Sequence, residues 1–354
     1  MPTRLDRRQF IAGAAAGSAL VGLAGPAGAQ SRDRYTHGVT APGGLAATRP
    51  AGFTPFTAPG RVVRVNMPGS LRTGGLFPRP EAARQMIERG LRELTGARDL
   101  ASAWRQFVHP SDVVGIKPNG IASRVFASAK EVIVPIIEGV MAAGVPADRI
   151  VVWEQYNGFL AATRLTRRDV PSGVQMLVHT NTVMGPDTRV PSGRTGYASA
   201  LLQCTAVINV PLVKDHSLSG FTGAMKNMTH GSIRNPSAFH QHHCSPQIAE
   251  LYSHEAIRSR VRLIITDAFK VMYDGGPLNH NPDAQVPLEA MMFSTDPVAT
   301  DRIGAEIVDE FRTRNHMLTL DRRGTPPAYI DHAAQLGLGI GERSRIDLVN
   351  VRLA

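Results

Sequence analysis

Cysteine is scarce in this 354-residue chain, which has two, Cys204 and Cys244. Two thiolates cannot hold a four-cysteine iron–sulfur cluster, so none is expected from this chain alone. Pairing the two as a disulfide would require Cα atoms within about 6 Å of each other, which the sequence leaves open. Long apolar runs are missing too. Beyond the first residues no stretch approaches the roughly 20 apolar residues that span a bilayer. There is no basic block interleaved with aromatics, no zinc finger and no helix-turn-helix pattern, which argues against nucleic acid as a partner. The nucleophile elbow of the serine hydrolases is absent, and Gly220 and Gly223 lack the spacing of a dinucleotide fingerprint. Lysine is used sparingly beside arginine, so each lysine that ends a strand carries weight.

The N-terminus carries Asp6-Arg7-Arg8-Gln9-Phe10-Ile11, a weakly apolar core from Ala12 to Leu23, and the small residues Ala27-Gly28-Ala29. Paired arginines, a short glycine-rich core and a small-residue cleavage pattern are the features of a twin-arginine export signal. Residues 1–29 are therefore expected to be removed after passage through the twin-arginine export machinery. The mature chain is expected in the periplasm, with no stable membrane span. Removal takes away three arginines and one aspartate, leaving 36 basic and 28 acidic residues, net +8. A basic surface in that compartment points to small anionic ligands.

Residues 30–60 are rich in proline, glycine, threonine and alanine and read as an extended arm. Residues 61–354 read as one α/β domain. Val62–Val65, Val113–Ile116, Ile150–Trp153, Val174–Val178, Ala206–Val210, Val261–Thr266 and Leu288–Phe293 have the length and β-branched content of strands. Helical spacing covers Pro80–Leu94, Ser128–Ala143 and Ile248–Arg258, and Asp296-Pro297 is a helix start. Strands spaced by helices of this length predict a twisted, mostly parallel sheet with helices on both faces.

The segment from Cys204 to Cys244 carries the densest chemistry. Its strand is expected to stop at Pro211, placing Lys214, Asp215 and His216 at a carboxyl end, where open α/β sheets bind ligands. Adjacent residues on an extended segment face opposite ways, so Asp215 and His216 can act together only if the chain turns after Pro211. Thr222, Lys226 and Asn227 follow on a glycine-bracketed helix. Lys117 and Asn119 end an earlier strand in the same manner, and Asp267 ends a later one. His240, His242, His243 and Cys244 form a tract of nitrogen and sulfur donors, which His216, His230 or His254 could complete. Imidazole with thiolate suits zinc, copper, nickel or iron better than calcium or magnesium. A solvated polar loop is the alternative.

These blocks, in this order, resemble the exported branch of the family called domain of unknown function 362. The likeness rests on Lys117-Pro118-Asn119, Lys214-Asp215-His216, Thr222 to Asn227, Asp267-Ala268, Gly276-Pro277, and Asp296-Pro297-Val298-Ala299 with Asp301. It spans roughly residues 60–315. The family's central tripeptide is more usually Lys-Thr-His, so Asp215 is a departure. Some relatives carry ferredoxin-type cysteines, which this chain lacks. The reading assigns catalytic roles to His216, Lys214, Lys226 and Asp267 and ligand binding to Lys117, Asn119, Thr222 and Asn227. Metal ligation falls to His240, His242, His243 and Cys244. The function expected is a metal-assisted enzyme acting on a small anionic substrate, or a metal- or anion-binding protein without turnover.

Overall fold

The computed structural model describes residues 44–354 apart from Leu76. The twin-arginine segment and the first part of the arm lie outside the described residues. From residue 44 to residue 60 the arm carries no helix or strand. It is tied down by Ala47 N–H to Ser259 Oγ and Ala58 N–H to Thr295 Oγ1, each 2.8 Å.

The strands are β1 (Arg61–Asn66), β2 (Val114–Lys117), β3 (Ile150–Glu154), β4 (Gln175–Val178), β5 (Thr188–Val190), β6 (Gly193–Thr195), β7 (Ala206–Asn209), β8 (Leu212–His216), β9 (Gly220–Thr222), β10 (Val261–Met272), β11 (Gln285–Ser294) and β12 (Asp347–Arg352). The main sheet runs β12-β1-β11-β10-β7-β2-β3-β4, and β5 and β6 form a separate hairpin. Pairing from β10 through β7, β2 and β3 to β4 is parallel. β11 lies antiparallel between β1 and β10, so β1 points the same way as β7 and β2. The expected α/β architecture, a mostly parallel sheet with helices, is present.

Two apolar layers cover the sheet because its strands alternate apolar residues outward on both faces. Val151, Trp153 and Val207 join one layer, with helices Gln247–Ser253, Pro297–Arg314 and Tyr329–Gln335. Ile150, Val152, Ala206 and Ile208 join the other, with helices Pro80–Thr95 and Lys130–Ala142. The helix from Pro80 begins and ends as its sequence predicts. Proline occupies its first turn, and Gly96 (φ 72°) closes it in the left-handed conformation that glycine adopts without strain. Among the described residues no helix is long and apolar enough to cross a membrane.

Three boundaries differ from expectation. β7 ends before Pro211, but the chain does not turn there: it resumes as β8, held by β10 on one side and β9 on the other. For the same reason β10 does not end at Asp267 but runs on to Met272. The helix expected over Ile248–Arg258 is two, Gln247–Ser253 and Glu255–Arg258, separated by His254 in an extended conformation.

Candidate functional site

Lys117, Glu154 and Asn209 end β2, β3 and β7, so the sheet delivers them to one edge. β8 adds Lys214 and His216, which share a face because they are two apart on a strand. The short helix Ala224–Thr229 then lays Lys226 and Asn227 across these ends. Carboxamides knit the group together. Asn227 Nδ2 donates to Asn209 Oδ1 (2.8 Å) and to the Lys117 carbonyl (3.1 Å). Asn119 Nδ2 donates to Asn227 Oδ1 (3.1 Å), and Lys214 Nζ donates to Asn119 Oδ1 (3.2 Å). In a dry site, a network with both donors and acceptors used fixes its members in place.

Asp301 anchors the short helix. Its carboxylate, fully buried on helix Pro297–Arg314, accepts the backbone N–H groups of Ala224 and Met225 and the Tyr329 hydroxyl. Those N–H groups open the Ala224–Thr229 helix and have no partner within it. Gly223 is required by this packing, because a Cβ there would overlap Asp301 Oδ1. Burial pushes the Asp301 carboxyl up to about 7, against the opposing pull of its three donors.

The lysines differ. Lys117 is ion-paired with Glu154 at 2.9 Å, and both are buried. Glu154 also accepts the N–H groups of Gly120 and Gln155, so this pair is fully matched. Lys214 and Lys226 are as buried, yet among the described residues neither is in an ion pair with a carboxylate. Burial lowers the Lys214 ammonium to about 7, and lowers that of Lys226 against the opposing effect of Cys244. Thr222 stands directly opposite Lys214 in the β8–β9 ladder. It is buried, and among the described residues its hydroxyl has no hydrogen-bond partner.

Beside Lys226 lies a group of imidazoles. Burial is the largest cause holding His216, His230 and His240 below the ordinary histidine range, His240 at about 3, with nearby Lys226 adding to it. The neutral tautomers follow from the partners. His216 Nδ1 accepts the N–H groups of Leu218 (3.0 Å) and Ser219 (3.3 Å), which leaves the proton on Nε2. His240 Nδ1–H donates to the Pro236 carbonyl (2.8 Å), leaving the Nε2 lone pair 3.1 Å from Lys226 Nζ. His230 Nε2–H donates to the Phe239 carbonyl (3.1 Å). The His216 and His240 rings stack at 5.6 Å, and His230 meets His240 edge-on at 4.6 Å. Cys244 Sγ lies 3.5 Å from Lys226 Nζ. Donor atoms of His230, His240 and Cys244 all fall within 4.8 Å of one another.

The histidine tract is thus divided. His242, His243 and Cys244 have successive positive φ angles of 47°, 58° and 60°, a left-handed run that non-glycine residues seldom adopt. It folds the backbone so that Cys244 turns inward while His242 remains exposed. His243 is half-buried and donates to the Leu218 carbonyl (3.0 Å). Neither of these two belongs to the three-donor group. His254 also stands apart, capping helix Glu255–Arg258 and stacking on Tyr197 at 5.0 Å.

Two other expectations change. With no turn after Pro211, Asp215 faces away from His216's side and accepts Gly276 N–H (2.7 Å) and Arg323 (3.0 Å). The pair does not act on one ligand. Asp267 shares no hydrogen bond with the cluster; it accepts Ala129 N–H (2.8 Å), ahead of helix Lys130–Ala142. The two cysteines are free thiols, Cys204 donating to the Ala200 carbonyl (3.1 Å). Sequence reasoning missed the roles of Asp301 and Glu154. Asn209 was detectable, as a polar residue ending a buried strand just before a proline.

No curated protein matches this chain. Among solved structures, the lactate racemase apoprotein from Thermoanaerobacterium thermosaccharolyticum is similar, with 12% identity and a TM-score of 0.42, over 70% of this chain and 57% of that one. This chain therefore spans little more than half of that protein's length. The family model described as domain of unknown function (DUF362) matches residues 114–306, more than half of the chain, with the whole lysine, carboxamide and imidazole cluster inside the match, and the chain belongs to that family.

Proposed function

We propose that this protein is a periplasmic, metal-assisted enzyme acting on a small anionic substrate, exported by the twin-arginine pathway. The observation that carries the reading is the pairing of two features in one buried place. Two buried lysines are in no ion pair with a carboxylate among the described residues, and beside them two imidazoles and a thiol hold donor atoms within 4.8 Å of one another. A buried cation without an anion is costly, so a bound anion restores balance. The donor set fits a transition metal. His240 donates its Nδ1–H to a backbone carbonyl, the outer arrangement that orients a ligating imidazole and leaves Nε2 available. His230, His240 and Cys244 would hold the ion, which supplies Lewis-acid polarisation of a bound oxygen. Zinc, copper, nickel and iron all suit such a set.

The chain's own groups divide the remaining work. Lys214 and the unpartnered Thr222 hydroxyl bind the anion. The Asn119–Asn227–Asn209 chain fixes the position of Lys214. His216, held neutral by burial, presents Nε2–H as a hydrogen-bond donor to the bound anion. The enclosing apolar layers exclude water and strengthen each of these interactions.

Anion binding without turnover is the second reading, favoured by the place of Lys226 Nζ. It lies 3.1 Å from His240 Nε2 and 3.5 Å from Cys244 Sγ, where a metal would have to displace it. Metal content of natively exported protein, measured by mass spectrometry, decides between them. About one transition ion per chain is expected. Protein with none, which gains none on titration at neutral pH, would leave the anion-binding reading standing.

A further inference from the structure

At the far side of the sheet, β1 and β12 bring two guanidinium groups and two carboxamides to one concavity. Arg64 and Asn66 are two apart on β1, and Asn350 and Arg352 are two apart on β12. Their parallel register sets Arg64 against Asn350 and Asn66 against Arg352, so all four share one face. One step earlier the same face is apolar: Val62 is buried in the core and Leu348 packs against it. Where the face turns polar it opens as a cleft of about 390 Å³, whose wall also includes Leu288 and Glu289. The cleft lies at the carboxyl ends of β1 and β12. That is the sheet edge that also carries Lys117 and Asn209, and the edge where α/β sheets take ligands.

Two guanidinium groups outnumber the one carboxylate in the cleft. Arg64 Nε donates to Asn66 Oδ1 (3.1 Å), and among the described residues neither Arg64 nor Arg352 is in an ion pair. The acid in the wall is engaged through one oxygen: Glu289, held at φ 52°, accepts the Leu71 N–H at Oε1 (3.2 Å). We infer that this cleft binds a doubly charged oxyanion, a phosphate or a small phosphate ester. Each guanidinium presents a planar fork that matches two oxygens of such a group. Asn350 and Asn66 add carboxamides at its sides. A single carboxylate would satisfy one guanidinium and leave the other unmatched, and the wall has too little apolar surface for a hydrophobic ligand. The inference is independent of the metal and the buried lysines.

The test is calorimetric titration of the full exported protein with inorganic phosphate at constant ionic strength, with glycerol phosphate as a second arm. One saturable site is expected. Arg64→Gln and Arg352→Gln should each weaken it about tenfold, in line with loss of one charged hydrogen-bonding partner. Arg64→Lys should retain most of the affinity lost in Arg64→Gln, whereas Lys214→Met tests whether the ion sits at the buried lysines instead. Tighter binding of the ester than of the free ion would assign the cleft to esters, and equal binding to the ion. Absence of saturable binding overturns the inference, as does binding that survives both arginine changes or disappears with Lys214→Met. Urea unfolding of each variant separates lost affinity from lost fold.

Discussion

The two edges of the sheet treat buried charge in opposite ways. At the amino ends of the strands Asp112 and Arg262 are buried and joined by two hydrogen bonds, 2.6 and 3.0 Å. Thr205 and the His109 N–H add to Asp112, and the Phe107 and Thr205 carbonyls each take one more proton from the guanidinium's terminal nitrogens. These two charges are matched by each other within the fold, while Arg260 beside them is met by the Cys204, Leu202 and Ala256 carbonyls. At the carboxyl ends Lys117 is so matched. Lys214 and Lys226 have carboxamide, imidazole and thiol neighbours, and among the described residues neither is in an ion pair with a carboxylate. Matched buried charge holds elements together, whereas unmatched buried charge is a standing destabilisation unless something else occupies the site.

The largest effect should come from breaking the matched edge. Asp112→Ala leaves the Arg262 guanidinium buried and unpaired, which costs about 3–5 kcal/mol. Urea unfolding should show that loss, while protein that remains folded keeps its metal content. A loss of metal at unchanged stability would erase the distinction between the edges.

Next in size is a contrast within the histidine tract. His240→Gln should lower metal affinity by more than the roughly 10–100-fold that loss of an outer partner costs, and bound metal should fall well below one ion per chain. His242→Gln should leave it unchanged, since that ring is exposed. Metal should raise the melting temperature of the wild type and of His242→Gln, but not of His240→Gln, because only ligation to the native state stabilises it. Equal losses in the two variants would return the tract to the status of a surface loop.

The same contrast marks the limit of what the sequence told. β1, β2, β3 and β7 and the helix from Pro80 to Thr95 were legible because apolar period and punctuating proline or glycine are local signals. β8 was not. Lys214-Asp215-His216 is polar, and what makes it a strand is pairing with Met272 on one side and Thr222 on the other, contacts far along the chain. The residue types that crowd the carboxyl ends are legible in the sequence, yet not how they sort in space. His240 and His242 are both histidines of one tract, and the left-handed run from His242 to Cys244 separates them, a backbone choice no residue type announces. Asp301 was visible as an acid just past a helix start, but its work lies 77 residues away at Ala224.

A smaller effect follows for the unmatched edge itself. Lys226→Met keeps length and removes the charge. Stability should change by less than about 1 kcal/mol, or rise, since an uncompensated buried charge is gone. Affinity for acetate, used as a probe of the central site, should fall on the order of tenfold, as expected for one charged hydrogen bond. Unfolding of Lys226→Met with no change in acetate binding would make Lys226 part of the framework, as Asp112 is.

The smallest effect is in pH. Burial lowers Lys214 from the ordinary lysine value of 10.5 to about 7. Between those values the unfolded chain binds the proton that the folded chain has released, so stability rises as pH rises from about 7 toward 10.5. Below about 7 both states are protonated and the penalty of the buried charge is present in full. Anion affinity should run the other way. It falls above about 7 by no more than about tenfold per pH unit, the limit for loss of one proton, because a neutral amine no longer attracts the anion. Lys214→Met should flatten the stability slope attributable to this lysine. Lys214→Arg, whose guanidinium keeps its charge, should flatten the fall in acetate affinity between pH 7 and 9. Acetate affinity that is level from pH 7 to 9 in the wild type would show that Lys214 keeps its proton throughout that range, and burial without an ion pair would then not be enough to release it.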